Sequence, residues 1–515
     1  MTGGNRELRP NDQLSKSDPG DNLRVHTVRG VFWSGVQRTG GQAIALAVFI
    51  VLSRLLEPSA FGLIALANGY LLVVLLFVEQ GVNQAIVQRK DVSTDYLDAA
   101  FWSSMVLAVL LAGLTQILAG PIARLFGEPT LAPLLRWLSL SLVLAGLRST
   151  QTAMLQRDLR FRALAVRTAA AETVGGGVAV LMALAGLGVW SLVGQALGRG
   201  IAGAIVLWGV SSWRPRLKIK AAPLRDLTRF GTPVVADRLV AVVQGKADDM
   251  LIGLALGATA LGYYSVGYRL LTYLTQLVTG TVQSVALPVL SRLQADLERL
   301  RRVFLIMLEY LALGAFPVFV GIAFVAPELV PLVFGPRWSA SIPVMQVLAL
   351  AGAAKALPIA TSTVFLAAGK PGVQLRLNGV TTSLAVVGFA LVVPRGIVAV
   401  ASVHLLVNLL AAPLHAVILR RSLKVPARSF AVALRVPAAG LLLMGGVLFI
   451  MDALRPDSVM PIAWLVLDVA LGAAVYVGGT FVLGRSLFTR ARGALAEGLL
   501  TWPGDRRADE PLEAF

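Results

Sequence analysis

An all-α integral membrane protein of about 14 transmembrane helices is the fold class the sequence predicts, on three observations. Of 515 residues, 56% are hydrophobic and only 14% charged, against roughly 25% charged in soluble domains. The hydrophobic residues lie in runs near the ~20 residues that a helix needs to cross hydrocarbon. The basic residues gather between alternate runs, so the net charge of +18 reads as membrane topology rather than nucleic-acid binding.

Taken in order, residues 1–28 are polar and read as a disordered cytoplasmic leader. No apolar stretch precedes the first span, so no cleavable signal peptide is expected. Spans are predicted at about 31–53, 61–87, 99–123, 131–155, 165–187, 190–211, 229–256, 261–288, 303–326, 342–367, 374–393, 396–419, 431–451 and 460–484, followed by a cytoplasmic tail at 487–515. With the chain starting inside, the cytoplasmic segments hold 33 of the 46 Lys and Arg residues and the outer loops six. The cytoplasmic set includes Arg157, Arg160, Arg162 and Arg167, and Arg214, Arg216, Lys218 and Lys220. That bias puts both termini in the cytoplasm.

A shift of 200 residues aligns the first two spans with the seventh and eighth. Arg38 falls on Arg238, Gly62 on Gly262 and Val82 on Val282. Later the shift drifts, so that the LAG run at 144–146 meets the LAG run at 350–352. Each half holds six spans in one orientation, giving an N-lobe at 29–222, a C-lobe at 223–426 and two further spans at 427–486. Parallel repeats of this kind place a transporter's substrate site between the halves.

Seven basic residues fall inside spans: Arg38, Arg148, Arg199, Arg238, Lys246, Arg269 and Lys355. Each costs a few kcal/mol at a helix centre, about 2.5–3.5 on insertion scales, unless it faces water or a partner. Ser34, Arg38 and Gln42 share one face of the first span. Arg269, Tyr273, Gln276, Gly280 and Gln283 form a stripe on the eighth, and Asn68, Glu79 and Asn83 lie on one side of the second. These stripes predict a wet cavity lined by Ser34, Gln42, Asn68, Tyr273, Gln276 and Gln283. Arg38, Arg238, Arg269 and Lys246 are the candidate substrate-binding cations. Local ion pairs are the competing reading for every charge, above all for Arg148, Arg199 and Lys355. Asp248 and Asp249 either pair with Lys246 or bind a coupling proton or sodium ion. A surplus of fixed cations attracts an anion, because Arg matches phosphate oxygens with a bidentate fork.

There are no cysteines and three histidines, with no HExxH spacing, so no metal site or cofactor is expected. The Gly175–Gly177 run falls inside the fifth span and reads as close helix packing. No nucleophile elbow or phosphate-binding glycine loop is present, and the outer acids Glu57, Glu128, Glu328, Asp452 and Asp457 are scattered. Catalytic residues are therefore not expected. The runs SRLLEPSAFG at 53–62, EQGVNQAIVQRKD at 79–91, MLQRDLRFRALA at 154–165 and DDMLIGLALGATALGYYSVGYR at 248–269 resemble the Wzx-type polysaccharide transporters of the MOP superfamily, a group that is MATE-like in fold. The resemblance implies two six-helix lobes in a V plus two C-terminal helices. It implies a bacterial inner-membrane flippase that carries undecaprenyl-pyrophosphate-linked oligosaccharide to the periplasmic leaflet by alternating access. Its partners would be that lipid-linked oligosaccharide, membrane lipids, and the glycan polymerase and export machinery of exopolysaccharide, O-antigen or capsule assembly. Related lipid II flippases use arginines in the first, second and eighth helices. Arg38 and Arg269 match the first and eighth, whereas the second offers Asn68 and Glu79. The alternatives are a MATE-type drug/cation antiporter, against which the basic cavity argues, and a membrane-embedded glycan polymerase or ligase.

Overall fold

The computed structural model describes residues 19–484, apart from 80, 81, 90, 218–220 and 457–459. Every regular element among them is helical. The first half runs α1 (Pro19–Leu55), α2 (Pro58–Glu79), α3 (Val82–Gln88), α4 (Thr94–Leu125), α5 (Leu131–Leu138), α6 (Leu140–Arg157), α7 (Phe161–Leu184), α8 (Trp190–Val210) and α9 (Ala221–Arg292). It continues through α10 (Leu297–Val333), α11 (Ile342–Ala354), α12 (Ala356–Ala367), α13 (Pro371–Val392), α14 (Ile397–Leu423), α15 (Ala427–Ala453) and α16 (Pro461–Leu483). Helix α1 begins at Pro19, inside the segment read as a leader, and proline is preorganised for a first helical position. The expectations for 1–18 and 485–515 fall outside the described residues.

Among the described residues, twelve helical stretches are long and apolar enough to cross a membrane. One of them, Arg238–Gln276, is broken at Gly257 (φ 80°, ψ 178°), and Thr39–Leu55 is a shorter apolar helix. Large apolar side chains face outward along these helices, Ile117 at 74% and Leu442 at 77% exposure. Only hydrocarbon accepts such surfaces at low cost, and helices satisfy every backbone group there. The protein is an all-α, multi-pass membrane protein.

The chain divides into two compact units, up to Gly262 and from Tyr263 onward. In the first, α7 packs along α8 and α1. A Cβ at Gly175 would lie 2.8 Å from the Gln195 carbonyl oxygen, and one at Gly176 would lie 2.4 Å from Val48. Gly175 and Gly176 thus form a packing surface, as the composition predicts, whereas a Cβ at Gly177 would meet nothing within 4 Å.

Helix α2 pairs antiparallel with the part of α9 before and just after Gly257. A Cβ at Gly62 would sit 1.7 Å from the Ala258 carbonyl oxygen, and one at Gly262 would sit 1.9 Å from that of Pro58. These are the same two positions exchanged across the 200-residue repeat, so the contact is reciprocal. Further along, Gly69 faces Met250 and Gly253 faces Leu66, each without room for a methyl group. At the restart of α9 the Ala258 N–H donates to Glu128 Oε1 at 3.0 Å, which supplies a carboxylate cap to a helix start. Glu128→Ala should therefore lower unfolding stability by about 1 kcal/mol, read as a lower melting temperature in detergent. Unchanged melting would remove that role.

In the second unit α10 packs against α11, α15 and α16, and the last two helices pack on each other. Arg455 donates to Glu328 of α10 and lies 5.6 Å from the Trp464 ring centroid of α16. One guanidinium thus ties the final helix pair to the helix beneath it.

Candidate functional site

At its far end the α2–α9 pairing closes on charge. Arg238 Nη1 donates to Glu79 Oε2 at 3.2 Å, and both side chains are more than a third exposed. A pair this wet is worth no more than about 1 kcal/mol, so it marks a meeting of helices more than a lock. Glu79, placed by the sequence on the polar side of the second span, is therefore a specific partner of Arg238.

About two turns further along α9 from Arg238, Lys246 Nζ donates to Asp249 Oδ2 at 2.6 Å. Asp248, buried, accepts the Asp249 backbone N–H at 2.9 Å. Spacing left Asp249 open between a partner for Lys246 and an ion ligand, and the geometry here is that of a partner. The side chains of Ser34, Arg38, Asn83 and Gln283 lie outside the described residues. Gln42 is half-buried and Asn68 exposed. The neighbouring Gln37 donates to Thr168 of α7 at 3.3 Å.

In the second unit Arg269 and Tyr273 are half-buried. A cavity of about 260 Å³ opens beside them, lined by Tyr268, Thr272, Thr275 and Gln276 of α9, Lys355 between α11 and α12, and His404 of α14. Only Gln276 belongs to the stripe singled out from spacing. Tyr268, Thr272 and Thr275 recur at i, i+4 and i+7, one helical position away from it. Lys355, which the sequence leaves as an ion-pair candidate, stands at the break between α11 and α12 and reaches this cavity.

The remaining intramembrane cations meet in the first unit. Arg199 of α8 lies 3.3 Å from Glu172 of α7, the local pair the sequence favours for Arg199. Arg148 of α6 is within electrostatic reach of Arg199 and Glu79. Arg167, grouped from sequence with the cytoplasmic arginines, sits inside α7 with its Nε buried. Among the described residues no group of three His, Cys, Asp or Glu side chains could hold a metal ion.

A family model described as polysaccharide biosynthesis protein matches residues 51–343. The chain belongs to that family. It is 27% identical over 322 residues to the succinoglycan biosynthesis transport protein ExoT of Rhizobium meliloti, covering 62% of this chain and 65% of that one. It is 24% identical over 364 residues to the lipopolysaccharide biosynthesis protein WzxC of Escherichia coli, covering 70% and 74%. Among solved structures it superposes on the lipid II flippase MurJ in an inward closed conformation with a TM-score of 0.73 at 13% identity, covering 88% of this chain and 99% of that one. An inward-facing multidrug resistance MATE family transporter of the MOP superfamily gives 0.60 at 16% identity, covering 76% and 98%. Identities this low show a shared fold. The resemblance read from the sequence holds for both family and fold.

Proposed function

We propose that this protein moves undecaprenyl-pyrophosphate-linked oligosaccharide from the cytoplasmic to the periplasmic leaflet of a bacterial inner membrane by alternating access, for exopolysaccharide, O-antigen or capsule assembly. The observation that carries the reading is a polysaccharide biosynthesis family match on a chain whose spans hold Arg167 besides the seven basic residues read from the sequence. Such a chain suits an anionic headgroup on a polar glycan. Arg38, Arg238, Arg269 and Lys246 are the proposed contacts to the pyrophosphate, and a glycan polymerase and export machinery the proposed partners. Deleting the gene should leave lipid-linked oligosaccharide on the cytoplasmic leaflet, inaccessible to a periplasmic glycosidase. Normal surface polysaccharide in the deletion strain would refute the reading, and restored drug efflux on complementation would favour the antiporter.

The proposed architecture is fourteen spans in two six-helix lobes plus a final pair, with both termini cytoplasmic. The native chain has no cysteine, so single cysteines report topology directly. Ser59→Cys and Ser339→Cys should react with an impermeant thiol reagent in intact cells, and Ser93→Cys and Ser429→Cys should not. Labelling at position 93 would overturn the orientation.

A further inference from the structure

Three arginines and one carboxylate converge between α6, α7 and α8. A Cβ at Gly203 of α8 would lie 3.4 Å from Arg167 Nε and 3.8 Å from Arg148 Nη1. The two guanidinium groups therefore flank one stretch of bare backbone. Arg199 approaches Glu172 from the same helix as Gly203, one turn earlier. Glu172 is also within electrostatic reach of Arg167. Glu79, the acid within electrostatic reach of Arg148, is hydrogen-bonded to Arg238. The Nε atoms of Arg167 and Arg199 are buried with no hydrogen-bond partner among the described residues, although the Arg199 side chain is 40% exposed.

That combination has one economical resolution. Two guanidinium groups beside a single glycine repel each other, and the one carboxylate among them already faces Arg199. An oxyanion between them would reverse the repulsion, satisfy the buried Arg167 Nε donor and exploit the planar donor fork of each group. A cation or a neutral sugar would do none of these. Arg167 lies six residues after the start of α7 and Arg148 nine before the end of α6. At ~1.5 Å per residue they are ~9 and ~14 Å from the ends of those helices, which under the proposed topology are cytoplasmic ends.

We infer that Arg148, Arg167 and Arg199, tempered by Glu172, form a diphosphate-binding site in the first unit, open to the cytoplasmic side, where the cargo's headgroup is taken up before translocation. The cargo's identity rests on the flippase reading; the affinity for diphosphate does not. None of these residues belongs to the set that sequence spacing assigns to the substrate.

The test titrates the purified full-length protein, in an uncharged detergent, with inorganic pyrophosphate, following heat of binding and melting temperature. Pyrophosphate should stabilise the wild type. Arg148→Gln and Arg167→Gln should each weaken binding about tenfold or more, the effect of losing a charged hydrogen-bond donor, while Arg167→Lys should recover part of it. Glu172→Gln is the discriminating variant: removal of the carboxylate should tighten binding. A merely structural Glu172–Arg199 pair would instead leave affinity flat and lower the melting temperature. Arginine variants that bind like the wild type, or a Glu172→Gln variant that binds no better, would overturn the site. Phosphatidylglycerol micelles displacing pyrophosphate as well as undecaprenyl diphosphate does would overturn the headgroup assignment. Normal glycan export in the deletion strain would defeat the flippase reading and leave the titration intact, so the two failures are distinguishable.

Discussion

Gly62→Leu should abolish glycan export and strongly reduce the yield of folded protein, and Gly262→Leu should do the same. The added Cβ alone would stand 1.7 Å from a backbone oxygen at Gly62 and 1.9 Å from one at Gly262. Backbone cannot swing aside as a side chain can, so the α2–α9 crossing must open along its length. Overpacking a fitted interface costs about 1–3 kcal/mol, and membrane helices depend on such small-residue contacts because lipid supplies no hydrophobic drive for association. Even Gly62→Ala should lower the melting temperature in detergent. Gly113→Ala is the control, because nothing lies within 4 Å of the position its Cβ would take. Equal tolerance of alanine at 62 and at 113 would show that the crossing contributes little.

Arg269→Ala should abolish export while the protein still inserts and melts as the wild type does. Arg269→Lys should restore part of the activity, since it keeps the charge and loses the bidentate fork. The expectation follows from the proposed pyrophosphate role, in which the guanidinium is needed for cargo rather than for the fold. If the arginine instead holds helices together, its removal strands a buried carboxylate, typically at a cost of 3–5 kcal/mol (roughly). Protein level would then fall, and neutralising the acid would restore both level and export. Full export in such a double variant would show that the cargo never needed Arg269.

Different parts of the candidate site were legible to different degrees. The Lys246–Asp249 pair is visible from spacing, because i and i+3 share a helix face. Its neighbour Arg238 reads as a cavity cation, yet it meets Glu79, 159 residues away. The cavity of the second unit is lined one helical position away from the predicted stripe, by Tyr268, Thr272 and Thr275 rather than by Tyr273. Polar residues occupy both faces there, so periodicity alone could not choose between them. Arg167 counts as a cytoplasmic charge by position, and only the packing of α7 on α8 brings it beside Gly203.

What the sequence determined by itself is what depends on local chemistry and on counting. Apolar length sets the helices, basic clusters argue their orientation, and the 200-residue shift pairs Gly62 with Gly262 and Arg38 with Arg238. Tertiary structure decided what those positions touch. A Cβ at Gly62 would point at the carbonyl of Ala258, the repeat equivalent of Pro58, and one at Gly262 at that of Pro58 in return. The same holds for Arg148, Arg167 and Arg199, which come from three helices. The physical reason is range: hydropathy and helical period act within some twenty residues, whereas a charge or a glycine finds its partner only once antiparallel helices have packed.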